Sequence, residues 1–237
     1  MKIILALLAV LPLQAGGERI QVAVASNFRN TAETLARHFG AQSGKTLVVS
    51  YGSTGKHYAQ IVNGAPFHAF LAADEARPAR LEAQGKAIRG TRFTYAIGRL
   101  ALWSPRTGYV DSDGRVLRSR DFRHLAIANP DLAPYGRAAR ETLRGLGLWE
   151  TLSERLVRGE NVAQAYQFTY SEAAELGFVS LAQVPAGAGS RWIVPQALHS
   201  PIIQQAVLLD DAGRPFLEYL RTEDARAIIA GDGYTLP

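Results

Sequence analysis

Between residues 20 and 84 the sequence alternates three times between a short β-branched or apolar run and a stretch of helical period. That alternation restricts the fold more than any other feature of the chain. Ile20–Ala25 (IQVAVA), Thr46–Ser50 (TLVVS) and Phe67–Ala72 (FHAFLA) read as strands, and Arg29–Ala41, Lys56–Asn63 and Asp74–Gln84 read as helices. Ser26 and Asn27 are favoured N-cap types, Gly44 ends the first unit, and Gly64-Ala65-Pro66 stops the second helix. Strands separated by helices need crossover connections, so this stretch predicts an α/β fold with a mainly parallel, doubly wound sheet.

The rest of the chain continues the pattern less regularly. Tyr95–Trp103 (YAIGRLALW) is a longer strand interrupted by a glycine, placed to leave one lobe and enter another. Residues 105–120 form a polar excursion, read as a hairpin or loop. Leu125–Ala128 and Leu176–Leu181 read as strands, Gly136–Leu146 and Val162–Tyr170 as helices, and Trp192–Val194 as an edge strand. Pro201–Leu209 (PIIQQAVLL) is apolar and strand-like and is placed to return the chain to its starting lobe. Phe216–Arg221 and Asp224–Ala230 read as closing helices. A chain of 237 residues holds one large domain or two lobes of about 100–120 residues each.

Composition removes several classes of function. There is no cysteine, which excludes disulfides, thiolate metal sites and cysteine nucleophiles. The histidines His38, His57, His68, His124 and His199 lack metal-ligand spacing and read as surface or packing residues. A formal net charge of +5 comes from scattered arginines rather than a run of like charge, so no nucleic-acid partner is indicated. At the N-terminus, Lys2 precedes an apolar run from Ile3 to Leu13, and Ala15 supplies a small residue at the expected cut. Residues 1–15 therefore read as a secretory signal, too short to span a membrane.

Two strand–turn–helix junctions carry the chemistry: Ala25-Ser26-Asn27-Phe28 and Tyr51-Gly52-Ser53-Thr54-Gly55. Each places small hydroxyl or amide side chains where a helix starts and backbone N–H groups point outward. Glycines at 52 and 55 are expected to let backbone approach a ligand. In an open parallel sheet both turns lie at the carboxyl ends of adjacent strands, the edge where ligands bind. Aimed at one point, they make an uncharged hydrogen-bonding site for a doubly negative ion. The plainer alternative is that Ser26 and Thr54 only cap their helices. The GSTGK string fails as a P-loop, because Ser50 stands at the first glycine position and His57 follows Lys56. Lys56 is expected to be exposed. A serine-nucleophile reading fails for want of a G-x-S-x-G elbow. Asp74 is expected to be a helix cap or an inter-lobe contact.

The ordered segments VAVASNF, SYGSTGKHYAQIVNGAPF, FLAADE, NPDLAPYGRAA and ELGFVSLAQV resemble the periplasmic molybdate-binding proteins of ABC importers, from about Ile20 to the C-terminus. The resemblance implies a two-lobed periplasmic-binding-protein fold of type II with two crossover strands as hinge. Lobe I would comprise residues 18–97 and 201–237, and lobe II residues 98–200. It implies oxyanion contacts from Ser26 with Asn27 beside it, Thr54 with Ser53 its neighbour, Tyr135 in the APYG turn, and Val162 through its backbone N–H. Relatives often carry a ligand tyrosine where this chain has Gly177-Phe178-Val179-Ser180, with Gln183 beyond, so Tyr135 is expected to supply the phenol instead. Alternatively, Tyr135 is a plain turn residue and Val162 a core residue. The implied function is capture of molybdate or tungstate and delivery to a membrane permease, by a periplasmic monomer with no cofactor and no catalysis. Two alternatives stay open: a binding protein for sulfate, phosphate or a small organic anion, and an exported hydrolase, disfavoured by the lack of paired carboxylates, a metal cluster or a triad.

Overall fold

The computed structural model describes residues 18–119 and 121–237; the expected signal at residues 1–15 lies outside them. In chain order the strands are β1 (Arg19–Ala25), β2 (Thr46–Gly52), β3 (Ala69–Ala72), β4 (Phe93–Gly98), β5 (Leu100–Ser104), β6 (Leu125–Ala128), β7 (Leu156–Gly159), β8 (Leu176–Ser180), β9 (Ser190–Ile193) and β10 (Ile202–Leu208). The α-helices are α1 (Arg29–Ser43), α2 (Thr54–Val62), α3 (Ala76–Ala83), α4 (Val116–Ser119), α5 (Pro134–Gly145), α6 (Trp149–Leu152), α7 (Val162–Tyr170), α8 (Arg214–Tyr219) and α9 (Glu223–Gly231).

They form two five-stranded mixed sheets, ordered β2-β1-β3-β10-β4 and β7-β6-β8-β5-β9. In the first, β1 pairs in parallel with β2 and β3, the part predicted from the alternating sequence. β10 then runs antiparallel to both β3 and β4. In the second, β6 pairs in parallel with β7 and β8, while β5 is antiparallel to β8 and β9. Antiparallel pairing thus enters with the strands next to the crossings and with β9 at the edge. The long strand expected over Tyr95–Trp103 is two strands in two sheets, divided at Arg99. Of the excursion expected at 105–120, the described residues 105–119 form a loop carrying the short α4 rather than a hairpin. Strand β7 was not anticipated: LVRG is short and half polar, and it lies at a sheet edge with one partner.

Local chemistry explains the element ends. Helix α1 buries Thr31, Ala32, Leu35 and Phe39 on one face and stops at Gly44, whose left-handed φ of 68° suits glycine. Asn161 caps α7 by accepting the Gln164 N–H at 3.1 Å. Thr222 caps α9 by accepting from Ala225 at 3.3 Å.

Each sheet has a core on both faces. Phe28, Leu35, Phe39 and Phe216 pack on one side of the first sheet, and Ile61, Phe70 and Leu81 on the other. In the second, Leu102, Ile127, Leu143, Phe178 and Trp192 form the larger core, and Trp103 and Val179 the smaller. The larger core also takes in Ala25, Ala73 and Ile202 from elements of the first sheet, so apolar packing continues between the lobes.

Candidate functional site

The parallel strands β1, β2 and β3 end side by side at Ala25, Gly52 and Ala72. Beyond β1 the residues Ser26–Phe28 make a 3-10 turn into α1, and beyond β2 Ser53 starts α2. The N-terminal turns of α5 and α7 approach from the second lobe. Between them lies a small space lined by Ala25, Ser26, Asn27, Gly52, Ser53, Thr54 and Ala73 from one lobe and by Ala133, Pro134, Tyr135 and Val162 from the other. The structure thus brings together the six residues singled out in the sequence, each no more than 4% exposed.

The hydroxyl groups around this space share one arrangement. Ser26 Oγ accepts the Ala163 N–H across the cleft at 3.4 Å. Ser53 Oγ accepts from Lys56 at 3.3 Å, and Thr54 Oγ1 from Ala73 at 3.0 Å. Tyr135 OH accepts from Ser180 Oγ at 3.0 Å. In each case the oxygen receives a protein hydrogen bond, which leaves the hydroxyl's own proton to be donated. Backbone adds to these donors, because the first N–H groups of a helix have no intrahelical partner. Pro134, first in α5, has no N–H, so the donors of that turn begin at Tyr135; Val162 is the first residue of α7. Burial raises the Tyr135 phenol well above the usual tyrosine range and keeps it protonated.

Several expectations need correction. Ser53, not Thr54, is the side-chain cap of α2, and Ser26 does not cap the helix that follows it but accepts a first-turn N–H of α7 from the other lobe, so the alternative that each only caps its own helix fails. The side-chain amide of Asn27 points away from the space: its Nδ2 donates to Gln204 Oε1 at 2.8 Å and to Tyr234 OH at 3.1 Å. Gly55 serves the approach of the lobes rather than of a ligand. Its N–H donates to the Leu132 carbonyl at 2.9 Å, and a Cβ there would sit 2.9 Å from that oxygen. Gly52 lines the space but rests on the His57 ring, whose Nε2 would be 3.0 Å from a Cβ.

The charged residues nearby are paired. Asp74 accepts the Arg77 N–H at 3.0 Å, capping α3, and is ion-paired with the same residue's guanidinium. Arg77 also donates to the Asp131 carbonyl at 3.2 Å, so Asp74 reaches the other lobe through it. The Lys56 ammonium is half exposed and meets Glu160 across the cleft at 2.7 Å. His57 is a packing residue, edge-on to Phe67 and Phe70, with its pKa lowered by burial.

Sequence reasoning passed over Ser180 as a partner of Tyr135, and over Tyr95, Gln204 and Tyr234 altogether. The adjacent glutamines in the otherwise apolar PIIQQAVLL were the available signal, since a polar pair inside a buried strand needs partners.

Two α/β lobes joined by crossing strands, with hydroxyls and helix starts facing one small space between them, define a binding protein. The chain belongs to the bacterial extracellular solute-binding protein family, whose model matches residues 20–235. It is 45% identical over 236 residues to the molybdate-binding protein ModA of Azotobacter vinelandii, covering 96% of this chain and 94% of that one. The ModA of Rhodobacter capsulatus is 43% identical over 236 residues, covering 97% and 93%. The solved structure of the Azotobacter vinelandii periplasmic molybdate-binding protein superposes with a TM-score of 0.89 at 46% identity, covering 92% of this chain and 99% of that one. The sulfate-binding protein SubI of Mycobacterium tuberculosis H37Rv shares the fold, with a TM-score of 0.76 at 15% identity and coverage of 92% and 87%. These relatives bind solutes and are not enzymes, which sets the hydrolase alternative aside.

Proposed function

We propose that this protein captures molybdate, or tungstate, between its lobes and delivers it to the membrane permease of an ABC importer. The observation that carries the reading is the shared state of Ser26, Ser53, Thr54 and Tyr135, whose oxygens are occupied as acceptors while they line one buried space. Such hydroxyls are receptors for an acceptor-only ligand. A fully deprotonated tetrahedral dianion is one, and oriented O–H and N–H groups replace its hydration shell without a cationic side chain. The identity to two molybdate-binding proteins over nearly the whole chain supports the choice of anion.

Selectivity against sulfate follows from size. The two ions share charge and shape, so donors spaced for the larger one stand too far from the smaller. Each charge-assisted bond left unmade costs roughly 1.5–3 kcal/mol, and two or three suffice for a large preference. Phosphate retains a proton at neutral pH and needs an acceptor, whereas Asp74, beside the lining residue Ala73, is committed to Arg77.

Residues 18–97 with 201–237, and residues 98–200, are proposed as the two bodies that close on the anion, bending at the crossings near Arg99 and between β9 and β10. The bound anion contacts both and stabilises the closed form by that differential contact. Residues 1–15 are proposed to direct export to the periplasm, where the mature protein acts as a monomer. Calorimetric titration with molybdate, tungstate, sulfate and phosphate tests the reading. Tight binding of the first two and weak or absent binding of the others is expected; binding of sulfate or phosphate alone overturns it.

A further inference from the structure

Asn27 lines the cavity, yet both hydrogens of its side-chain amide are used elsewhere, on Gln204 Oε1 and Tyr234 OH. Tyr234 answers with a second bond, its hydroxyl donating to the Asn27 carbonyl at 2.9 Å. The residue is thus gripped on side chain and main chain by two partners far away in sequence, one on a crossing strand and one in the C-terminal tail. We propose that Gln204 and Tyr234 are positioning residues for the oxyanion site: they hold Asn27 so that the Ser26–Phe28 turn presents its backbone N–H groups, rather than the asparagine amide, to the ligand. This rests on the reading of the cavity as the anion site.

Three independent features point to this role. First, Gln204 is fully buried, and its Nε2 has no hydrogen-bond partner. An apolar side chain of similar size would fill the space without an orphaned donor, so the use of an amide lies in its oxygen. That oxygen also lies 3.2 Å from the Tyr95 hydroxyl.

Second, the pairing of β10 with β4 is interrupted at this point. Gln204 pairs with Ala96 and Gln205 with Thr94, which leaves Tyr95 as an extra residue on β4. Bulges of this kind re-aim side chains beside functional sites. Here the interruption brings Tyr95 and Gln204 to one point.

Third, Tyr234 is anchored on both sides. Its neighbour Thr235 exchanges two backbone hydrogen bonds with Ile97 at the end of β4, at 2.8 and 3.1 Å. Its ring meets Phe28 edge-on at 5.2 Å, and Phe28 meets Tyr95 in the same way at 4.9 Å. The tail therefore binds the anion-facing turn and the last residues before the crossing at Arg99 together.

The test uses the full-length mature protein and molybdate, with affinity from calorimetry and rates from stopped-flow. Tyr234→Phe and Gln204→Met should each raise Kd about tenfold, the loss of one well-aimed hydrogen bond, with most of the change in the off-rate. Because both act through Asn27, the double variant should lose less than the product of the two. Tyr219→Phe is the control: its buried hydroxyl has no partner and its ring packs on Phe39 and Phe216, so Kd should not move. Urea midpoints of the ligand-free proteins separate positioning from stability, since a purely structural role lowers the midpoint and leaves Kd alone. Thr54→Val, run in parallel, separates the two readings. If Thr54→Val weakens binding while Tyr234→Phe and Gln204→Met bind as wild type, the positioning role is wrong and the site stands. If Thr54→Val also binds as wild type, the site itself is wrong. Multiplicative losses in the double variant sink the shared route through Asn27.

Discussion

The two lobes meet the same space with different chemistry. The first presents small hydroxyl side chains, Ser26, Ser53 and Thr54, each braced by a backbone N–H. The second lines it with Pro134 and Val162, whose side chains carry no donor, and on the proposed reading would rely on helix-start N–H groups together with one phenol held by Ser180. On the proposed reading, the first lobe would add side-chain hydroxyls to the backbone donors of its turns, while the second would depend largely on backbone. The first kind is changed by ordinary substitutions; the second responds only to changes that remove an N–H or move a helix.

The sharpest way to break this contrast is Val162→Pro. Proline is favoured at the first position of a helix, and Asn161 before it is already extended, so α7 should form normally without the N–H. Loss of a charge-assisted bond worth about 1.5–3 kcal/mol should raise the molybdate Kd roughly ten- to hundredfold, while Val162→Ala stays near wild type in the same calorimetric titration. Thr54→Val comes next. On the proposed reading it removes a donor to the anion, and it leaves the buried Ala73 N–H unpaired, so affinity should fall and urea-unfolding stability should drop by about 1–3 kcal/mol. Tyr135→Phe should weaken binding more than it weakens the fold, because Ser180 loses an acceptor but the ring still fills its place; calorimetry alongside a thermal melt checks this.

His57 supports the glycine turn of the first lobe from beneath and gives that lobe a pH signature. Burial lowers its pKa in the folded state below the ordinary 6.5, so below about pH 6.5 the unfolded chain binds more protons than the folded one. Stability should therefore hold above pH 6.5 and decline as the pH falls, and His57→Leu should flatten that part of a urea-midpoint profile between pH 7 and 5. The smallest effect belongs to the exposed Lys56–Glu160 bridge across the cleft. Lys56→Gln should change affinity by less than about 1 kcal/mol, and less still in high salt.

The same contrast explains what the sequence allowed to be read. The β1, β2 and β3 units follow from alternating periods, and helix α7 has the ends read for it in the sequence, its start capped by Asn161. The turns at Ser26-Asn27 and Ser53-Thr54 stood out because their hydroxyls are visible as letters. In the second lobe the same method found Val162 and Tyr135 only through family resemblance, since backbone N–H groups are carried by every residue but proline. The Asn27 grip was illegible for another reason: its partners lie 177 and 207 residues away, and no local pattern links them. Gly55 was misread because a close approach needs glycine whether the visitor is an ion or, as here, the Leu132 carbonyl.

Strand β10 sits between β3 and β4, although it comes after the whole second sheet in the chain. Among the described residues, strand β4 has no other partner strand in its own sheet. A polypeptide cut short before Ile202 would carry every strand of the second sheet, but a first sheet of only three strands with β3 left as a bare edge. Such an edge is a template for pairing with other chains, so premature termination should yield sticky fragments rather than a functional half.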